Sequence, residues 1–275
     1  MSPEQLLEQT FGAAKPIIAM VHLAPLPGAP LYDRAGGMQQ ILDLAAADIE
    51  ALQAGGVDAV MFGNEGDRPY ILKASPQSLA AMAYAVGELK RLITVPFGVN
   101  YLWDPVATVS LAVASGASFA REIFTGVYES DMGVWQPDAA TALRLRADLG
   151  RGDLKLLFNI NAEFASPLGN RSIAARARSA VFSSLADVVL VSGPMTGQGV
   201  ETGDLKIVKD AVPGTPVFAN TGVNLDTVAE ILRIGDGAVV GTHFKLDGNT
   251  WNAVDRARVE RFMDKVRQLR DRPAG

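Results

Sequence analysis

The chain has 275 residues, of which 48% are hydrophobic and 20% are charged, so it can bury a large core. It has no cysteine, which excludes disulfides, thiolate nucleophiles and cysteine metal sites. Its net charge of -5 argues against a nucleic-acid polymer as partner, because phosphate binding depends on clustered Lys and Arg.

Eight short apolar runs alternate with longer helical stretches along the chain. Each run ends in Gly, Asn or a charged residue, which is typical of a buried strand that stops at a turn. The predicted strands are residues 16–23, 57–65, 95–103, 118–124, 154–164, 187–193, 215–222 and 237–245.

Apolar residues at helical spacing predict a helix after each strand. Gly55-Gly56 ends the first of these helices, and Asp104-Pro105 and Asp255 are start signals of later ones. The predicted helices are residues 37–54, 76–92, 105–115, 137–149, 172–184, 203–211, 225–234 and 255–270.

Eight such units predict an α/β fold, a single (β/α)8 TIM barrel over residues 1–275, with 1–14 as an N-terminal extension or helix. A doubly wound open sheet is the alternative, because it repeats the same unit. That fold should carry a glycine-rich phosphate fingerprint after its first strand, where this chain has "HLAPLPGAPLYD".

Polar side chains collect at the ends of the predicted strands, where a barrel has its active site. Burying so many unpaired polar groups is costly, so they indicate a ligand site. The catalytic candidates are Glu163, Glu65, Asn161, Arg121 and His22. A period of two predicts that Asn159, Asn161 and Glu163 share one face of the fifth strand and that Arg121 and Glu122 face opposite ways.

Structural roles stay open for several of these residues. Asparagine at a strand end often only caps a turn, and His22 could be a structural histidine hydrogen-bonded to the next loop. His243 follows Thr242 directly, so we expect it to face away from the pocket in a structural role.

The ends of the seventh and eighth strands, "ANTGVN" and "VGTHFK", predict an anion site, because small residues expose backbone N–H groups. The glycine-rich residues 192–203 are expected to close over the ligand. A tight, densely packed turn is the alternative. The substrate- or phosphate-binding candidates are Asn100, Asn159, Ser192, Gly193, Asn220, Thr221, Gly222, Gly241, Thr242 and Lys245.

The segment "GNEGD" places two carboxylates between glycines. Glu65 and Asp67 could hold a divalent cation through oxygen ligands, or the segment could be a solvated turn. The spacing is not distinctive, so no cofactor is predicted and a divalent cation stays possible.

Several stretches together resemble the BtpA/SgcQ family, from about residue 15 to the last helix. They include "PIIAMVHLAPLPGAP", "AGGVDAVMFGNEGDRPY", "FNINAEFASPLGNRS" and "GTHFKLDGNTWNAVDRARVERFM". The resemblance implies a TIM barrel related to phosphate-binding barrels, of the kind that bind ribulose phosphate. One family member is linked to photosystem I biogenesis and others resemble sugar or nucleoside catabolic enzymes. No catalytic residue set carries over, so the candidates above rest on position.

The expected function is an enzyme that acts on a small phosphorylated sugar or nucleoside-like substrate by carboxylate acid–base chemistry: isomerisation, lyase chemistry or glycosidic-bond cleavage. The alternative is a non-enzymatic assembly factor for a membrane complex such as photosystem I. The polar, acidic start "MSPEQLLEQTFG" does not resemble a signal peptide, and no apolar run is long enough to span a bilayer. We therefore expect a cytoplasmic protein, and a homo-oligomer as is common for such barrels.

Overall fold

The computed structural model describes residues 1–271, and the last four residues of the predicted domain lie outside this range. Eight parallel strands close into a barrel in the order β1-β11-β10-β9-β7-β4-β3-β2, which confirms the predicted TIM barrel. The barrel strands are β1 Ile17–His22, β2 Ala59–Gly63, β3 Phe97–Asn100, β4 Phe119–Glu122, β7 Lys155–Asn159, β9 Val188–Val191, β10 Val217–Ala219 and β11 Gly237–Val240.

Most of the helices begin at a residue whose side chain caps the first turn. Asp104 accepts the N–H groups of Val106 and Ala107 at the start of α4, and Asp255 caps α9 in the same way. The helices are α1 Pro3–Phe11, α2 Gly37–Ala54, α3 Pro76–Leu89, α4 Pro105–Ser115, α5 Ala139–Asp148, α6 Ile173–Ser184, α7 Thr202–Ala211, α8 Val228–Ile234 and α9 Arg256–Arg270, with 3-10 turns at Lys90–Leu92, Thr242–Phe244 and Leu246–Gly248.

The inside of the barrel is filled by alternate strand residues, as the period of a strand requires. Ile18, Met61, Phe119 and Phe218 are fully buried there with their neighbours. The helix α1 covers the N-terminal end, because Phe11 packs edge-on against Phe119 with 5.1 Å between ring centroids. The interior of the barrel is therefore a packed core that α1 covers at its N-terminal end.

Carboxylates fix the amino ends of three strands. Asp58 accepts the N–H of Ile17 at 2.7 Å, and Asp187 and Asp236 bind the strand starts at Leu156 and Val217 in the same way. Each carboxylate is also paired with a cation from a helix or its flank. These contacts stabilise the N-terminal face of the barrel, whereas TIM barrels have their active sites at the C-terminal face.

The strands are shorter than predicted, and one region between them was missed. The predicted fifth strand, 154–164, ends at Asn159 as β7, because the chain bends at residues 160 and 161. Three short strands, β5 Tyr128–Ser130, β6 Gly133–Trp135 and β8 Ala165–Pro167, pair into a small antiparallel sheet beside the barrel mouth. Three residues of alternation are too few to predict a strand from sequence. Across residues 1–271, no helix has the length and apolar character needed to cross a bilayer.

Candidate active site

A narrow cavity of about 40 Å³ lies at the carboxyl ends of the strands. We call it the inner pocket. Its wall includes nine of the predicted residues: His22, Glu65, Arg121, Glu163, Asn220, Thr221, Gly222, Gly241 and Thr242. Met20, Leu102, Trp103, Thr196 and Gly197 complete the wall. Thr196 and Gly197 belong to the glycine-rich residues 192–203 that were expected to close over the ligand, whereas the other three were not predicted. Three of these five are apolar, so a search for polar strand ends passes over them.

Arg121 is the cation of the inner pocket, and it is 6% exposed. Its Nε donates to Asn100 Oδ1 at 2.9 Å, and its Nη1 donates to Asn220 Oδ1 at 3.0 Å. Asparagine side chains from two different strands therefore fix the guanidinium without neutralising it. The charge is left to act on the carboxylates and on any anion that enters.

Glu65 is buried opposite His22, with 3.7 Å between Glu65 Oε1 and His22 Nε2. That distance is too long for a hydrogen bond. Burial raises the pKa of Glu65 to about 7, although Arg121 opposes the shift. Burial, with Lys245 adding to the effect, lowers the pKa of His22 to about 3, so this imidazole is neutral at physiological pH. Glu65 Oε2 has no hydrogen-bond partner within residues 1–271.

Glu163 occupies a more polar part of the inner pocket. Its Oε2 accepts from Thr196 Oγ1 at 3.0 Å, and its Oε1 accepts from Ser192 Oγ and Asn220 Nδ2, each at 3.4 Å. Burial raises the pKa of Glu163, while Arg121 and the hydrogen bonds pull it back down. The two carboxyl groups of the pocket thus have different surroundings. Glu163 is hydrogen-bonded through both oxygens, whereas Glu65 Oε2 has no partner among the described residues.

Small residues form the wall on the side of the last two barrel strands. Gly222 has a left-handed backbone with φ of 62°, and a Cβ at this position would overlap the Gly199 backbone. A Cβ at Gly241 would lie 3.0 Å from the His22 ring. Within the part of the chain described, the N–H groups of Thr221 and Gly222 donate to no other residue. Unpaired backbone N–H groups are the type of donor that binds anions in other proteins.

Residues 192–201, which we call the closing loop, cover the inner pocket. Thr196 holds Glu163 as described, and Gly197 lies against Thr242. Gly199 packs on Gly222 so closely that a side chain at residue 222 would not fit while the loop is in this position. The glycines of this loop therefore permit a close approach of backbone to backbone.

Four predicted binding residues lie just behind the wall and support it. Ser192 Oγ accepts from Asn159 Nδ2 and Asn220 Nδ2, both at 2.7 Å. The N–H of Gly193 donates to Thr221 Oγ1 at 2.5 Å, and Asn100 holds Arg121. These groups orient the lining residues rather than face the cavity.

Other predicted residues are engaged elsewhere. Asn161 does not share a face with Asn159 and Glu163, because the strand has already ended; its side chain binds the backbone N–H and C=O of Ser192. Lys245 does not line the inner pocket and is buried in an ion pair with Asp48, with 2.5 Å between Nζ and Oδ2. His243 packs between aromatic rings outside the pocket, as expected.

The carboxylate of Asp67, a predicted cation ligand, is also hydrogen-bonded to other groups of the protein. It accepts from the N–H of Leu26 at 2.7 Å, from Ser78 Oγ at 2.9 Å and from Asn64 Nδ2 at 3.1 Å. Within residues 1–271, no three His, Asp or Glu side chains are grouped so that they could hold a metal ion. A divalent cation at Glu65 and Asp67 stays a prediction, and at Asp67 it would compete with these three hydrogen bonds.

Comparison with known proteins finds relatives over almost the whole chain. A family model described as the BtpA family matches residues 13–268. The sgc region protein SgcQ of Escherichia coli is 50% identical over 264 residues, which are 96% of this chain and 98% of the relative. The photosystem I biogenesis protein BtpA of Synechocystis is 32% identical, with 98% and 94% of the two chains covered.

Solved structures share the fold at much lower identity. A structure described as native KDPGal matches with a TM-score of 0.55 and 16% identity, over 94% of this chain and 97% of its own. Phosphoribosyl anthranilate isomerase from Thermus thermophilus matches with a TM-score of 0.55 and 12% identity, over 92% and 99%. At such identities the likeness extends to the barrel and not to the chemistry.

Proposed function

This chain belongs to the BtpA family, and we propose that it is an enzyme that acts on a phosphorylated sugar or nucleoside-like substrate by general acid–base catalysis. One observation carries the proposal: Glu65 and Glu163 are buried beside the cation Arg121 in one pocket. Buried carboxyls with raised pKa values are expensive for a purely structural barrel and are typical of catalytic sites.

The surroundings of the two carboxyls suggest different roles. Glu163 accepts three hydrogen bonds and is the better general base, because such bonds favour the ionised form. Glu65 has a bare oxygen and a pKa of about 7, so it holds a proton near neutral pH and can act as the acid. Proton transfer between two positions of a substrate fits this pair, whether the outcome is isomerisation, elimination or cleavage of a glycosidic bond.

An anionic group of the substrate would bind at the small-residue wall. Thr221 and Gly222 offer free N–H groups, Thr242 offers a hydroxyl, and Arg121 supplies the charge. Backbone N–H groups suit phosphate because they bind its oxygens without adding bulk.

The closing loop must move for a substrate to enter. A cavity of about 40 Å³ has room for little more than one or two water molecules. Since Thr196 and Gly197 form the lid, displacement of residues 192–201 enlarges the pocket without disturbing the strands. Closure over the substrate then excludes water from the two carboxyls.

A thermal-shift screen against sugar phosphates and nucleosides tests for the ligand. A compound that binds only the folded chain stabilises it, by about 2.7 kcal/mol at a concentration 100 times its Kd. We expect at least one phosphorylated compound to raise the melting temperature. No shift with any compound, together with specific retention of the chain on a membrane complex, would favour the assembly role instead.

Glu163→Gln then tests the chemistry with the compound found. We expect turnover to fall by about 100-fold or more, because a positioned general base is worth that much, while the ligand still raises the melting temperature. The matched control is Glu50→Gln, at an exposed glutamate on α2, which should keep the wild-type rate. Wild-type turnover in Glu163→Gln would contradict the role of base.

A further inference from the structure

A second cavity, of about 410 Å³, lies outside the inner pocket at the barrel mouth. We call it the outer chamber. Three aromatic rings line it, from Tyr70, Phe164 and Trp251, and Arg68 stands beside them. Its volume is in the range of small-molecule sites, whereas the inner pocket alone is far below that range.

The rings of the outer chamber are held in place before any ligand arrives. Tyr70 donates its hydroxyl proton to the backbone oxygen of Glu65 at 3.1 Å. Its ring lies 6.1 Å from the ring of Phe164. The guanidinium of Arg68 stacks on Trp251 with 3.7 Å between its Cζ and the ring centroid. Trp251 is 50% exposed, and the stack with Arg68 fixes the position of its ring.

Phe164 is placed there against its own backbone preference. Its φ is 57°, in the left-handed region that a bulky residue rarely adopts, and its N–H donates to the Pro194 oxygen at 3.1 Å. Such strain costs about 1–3 kcal/mol and is concentrated at functional sites. Phe164 also follows Glu163 directly, so the same short stretch positions the proposed base and one wall of the outer chamber.

The outer chamber and the inner pocket meet at the closing loop. Thr196 lines both, and its hydroxyl binds Glu163. A second link joins Thr250 of the outer chamber to Thr242 of the inner pocket, with 2.8 Å between their hydroxyl oxygens. A single ligand can therefore place a polar part against the carboxyls and a flat part among the rings.

We propose that the outer chamber binds a planar heterocyclic ring, and that the substrate is of the nucleoside type, a phosphorylated sugar joined to such a ring. The inference rests on the proposed function, because it assigns the sugar and its phosphate to the inner pocket. A second sugar ring fits less well, since its hydroxyls need polar partners and the wall of the outer chamber is mostly apolar. Stacking on aromatic faces accepts any flat base, and Asp131 at the edge can receive a ring amino group.

The test compares AMP and UMP with ribose 5-phosphate by isothermal titration of the full chain. We expect both nucleotides to bind at least about tenfold more tightly than the sugar phosphate, because one stacked base contributes that much. Trp251→Leu should remove most of this advantage and leave the affinity for ribose 5-phosphate within about twofold. Trp251→Phe keeps a ring and should restore the preference.

The matched control is Phe182→Leu, at an aromatic residue that is 89% exposed on α6 and lines neither cavity. Equal affinity for the three compounds, or an unchanged preference in Trp251→Leu, overturns the inference and leaves the proposed function standing. Binding of none of the three overturns the inference and removes the support for a sugar-phosphate site as well.

Discussion

Glu122 is a buried carboxyl that the proposed chemistry does not use. It is 1% exposed and does not line the inner pocket. Its Oε1 accepts from Asn100 Nδ2 at 2.8 Å, while Asn100 Oδ1 accepts from Arg121. Glu122 thus orients the side-chain amide of Asn100, which in turn binds the guanidinium of Arg121. Burial raises the pKa of Glu122 to about 8, against the opposing effects of the Ile123 N–H and of Arg121.

That raised pKa predicts how stability depends on pH. The ordinary value is 4.5, so between 4.5 and about 8 the unfolded chain has lost this proton while the folded chain keeps it. Since the folded state binds more protons in this window, Glu122 makes stability fall as pH rises, by at most about 1.4 kcal/mol per pH unit. Glu122→Gln should remove this component. The free energy of unfolding of the variant, relative to that of the wild type, should therefore increase as pH rises.

Urea unfolding at several pH values across that window measures the effect. The difference between Glu122→Gln and the wild type is the informative quantity, because other buried groups titrate in both proteins. Glu50→Gln, at the exposed glutamate on α2, should follow the wild-type profile. A difference for Glu122→Gln that stays constant with pH would contradict the assignment.

The direction in which a side chain faces was predictable from sequence where the residue lies in a regular strand. Arg121 lines the inner pocket and Glu122 does not, as a period of two requires. Asn161 and Lys245 do not line the inner pocket, for two different reasons. Asn161 lies beyond the end of its strand, and Lys245 has a partner, Asp48, that is 197 residues away and invisible to local spacing.

At the scale of elements, the site depends on how the closing loop meets the end of β10. Gly222 and Gly199 touch backbone to backbone, and the positive φ of Gly222 makes the turn that brings them together. Elsewhere the loop is held by hydrogen bonds, which include Gly193 N–H to Thr221 and Thr196 to Glu163. The fit of the lid is therefore sensitive to a single methyl group.

Gly222→Ala should displace the closing loop without unfolding the barrel. The added Cβ overlaps Gly199, and the left-handed backbone costs a further amount of about 1–3 kcal/mol. We expect ligand-induced stabilisation to be lost and the loop to be cut faster by a protease. Thermal shift with the ligand and limited proteolysis report the two effects.

Gly199→Ala is the matched control on the other side of this contact. Its Cβ would meet only the Gly222 oxygen, at 3.8 Å, which is an ordinary distance. This variant should bind ligand as the wild type does. If both variants lost binding equally, the close contact of the loop with Gly222 would not be the cause. Any added side chain at this contact would then disturb the loop.

Element order was predictable because each unit repeats the same signals. Buried strands, glycine stops and aspartate caps recur, and each is local. The small sheet of β5, β6 and β8 escaped prediction because each strand has only three residues and because β5 pairs with β8 across more than thirty residues, as between Tyr128 and Pro167. The outer chamber escaped for the same reason, since Tyr70, Phe164 and Trp251 meet only after folding.

At the scale of the whole molecule, α1 completes the barrel core. Leu7 and Phe11 belong to the same buried cluster as the inward-facing strand residues. Phe11 is 3% exposed and touches the rings of both Phe119 and Phe218. This helix lies ahead of the region matched by the family model, which begins at residue 13. It was predicted only as an extension or a helix, because nine residues of sequence do not reveal what they cover.

Phe11→Ala should destabilise the entire barrel. Truncating a buried phenylalanine leaves a cavity and costs about 3–5 kcal/mol. We expect a lower free energy of unfolding in urea, with a single transition if the helix and barrel unfold together. Gln9→Ala, at an exposed position of the same helix, should change stability by less than about 0.5 kcal/mol. A neutral Phe11→Ala would show that the helix is not part of the core.

Because α1 closes one end of the barrel, ligand exchange through the described chain uses the mouth alone. If the chain is the proposed enzyme, substrate and product pass through one opening in turn, and a new molecule enters only after the last has left. The lid has to open twice in each cycle, once before the chemical step and once after it. The rate of that opening sets a ceiling on turnover, and faster proton transfer at Glu163 does not lift it.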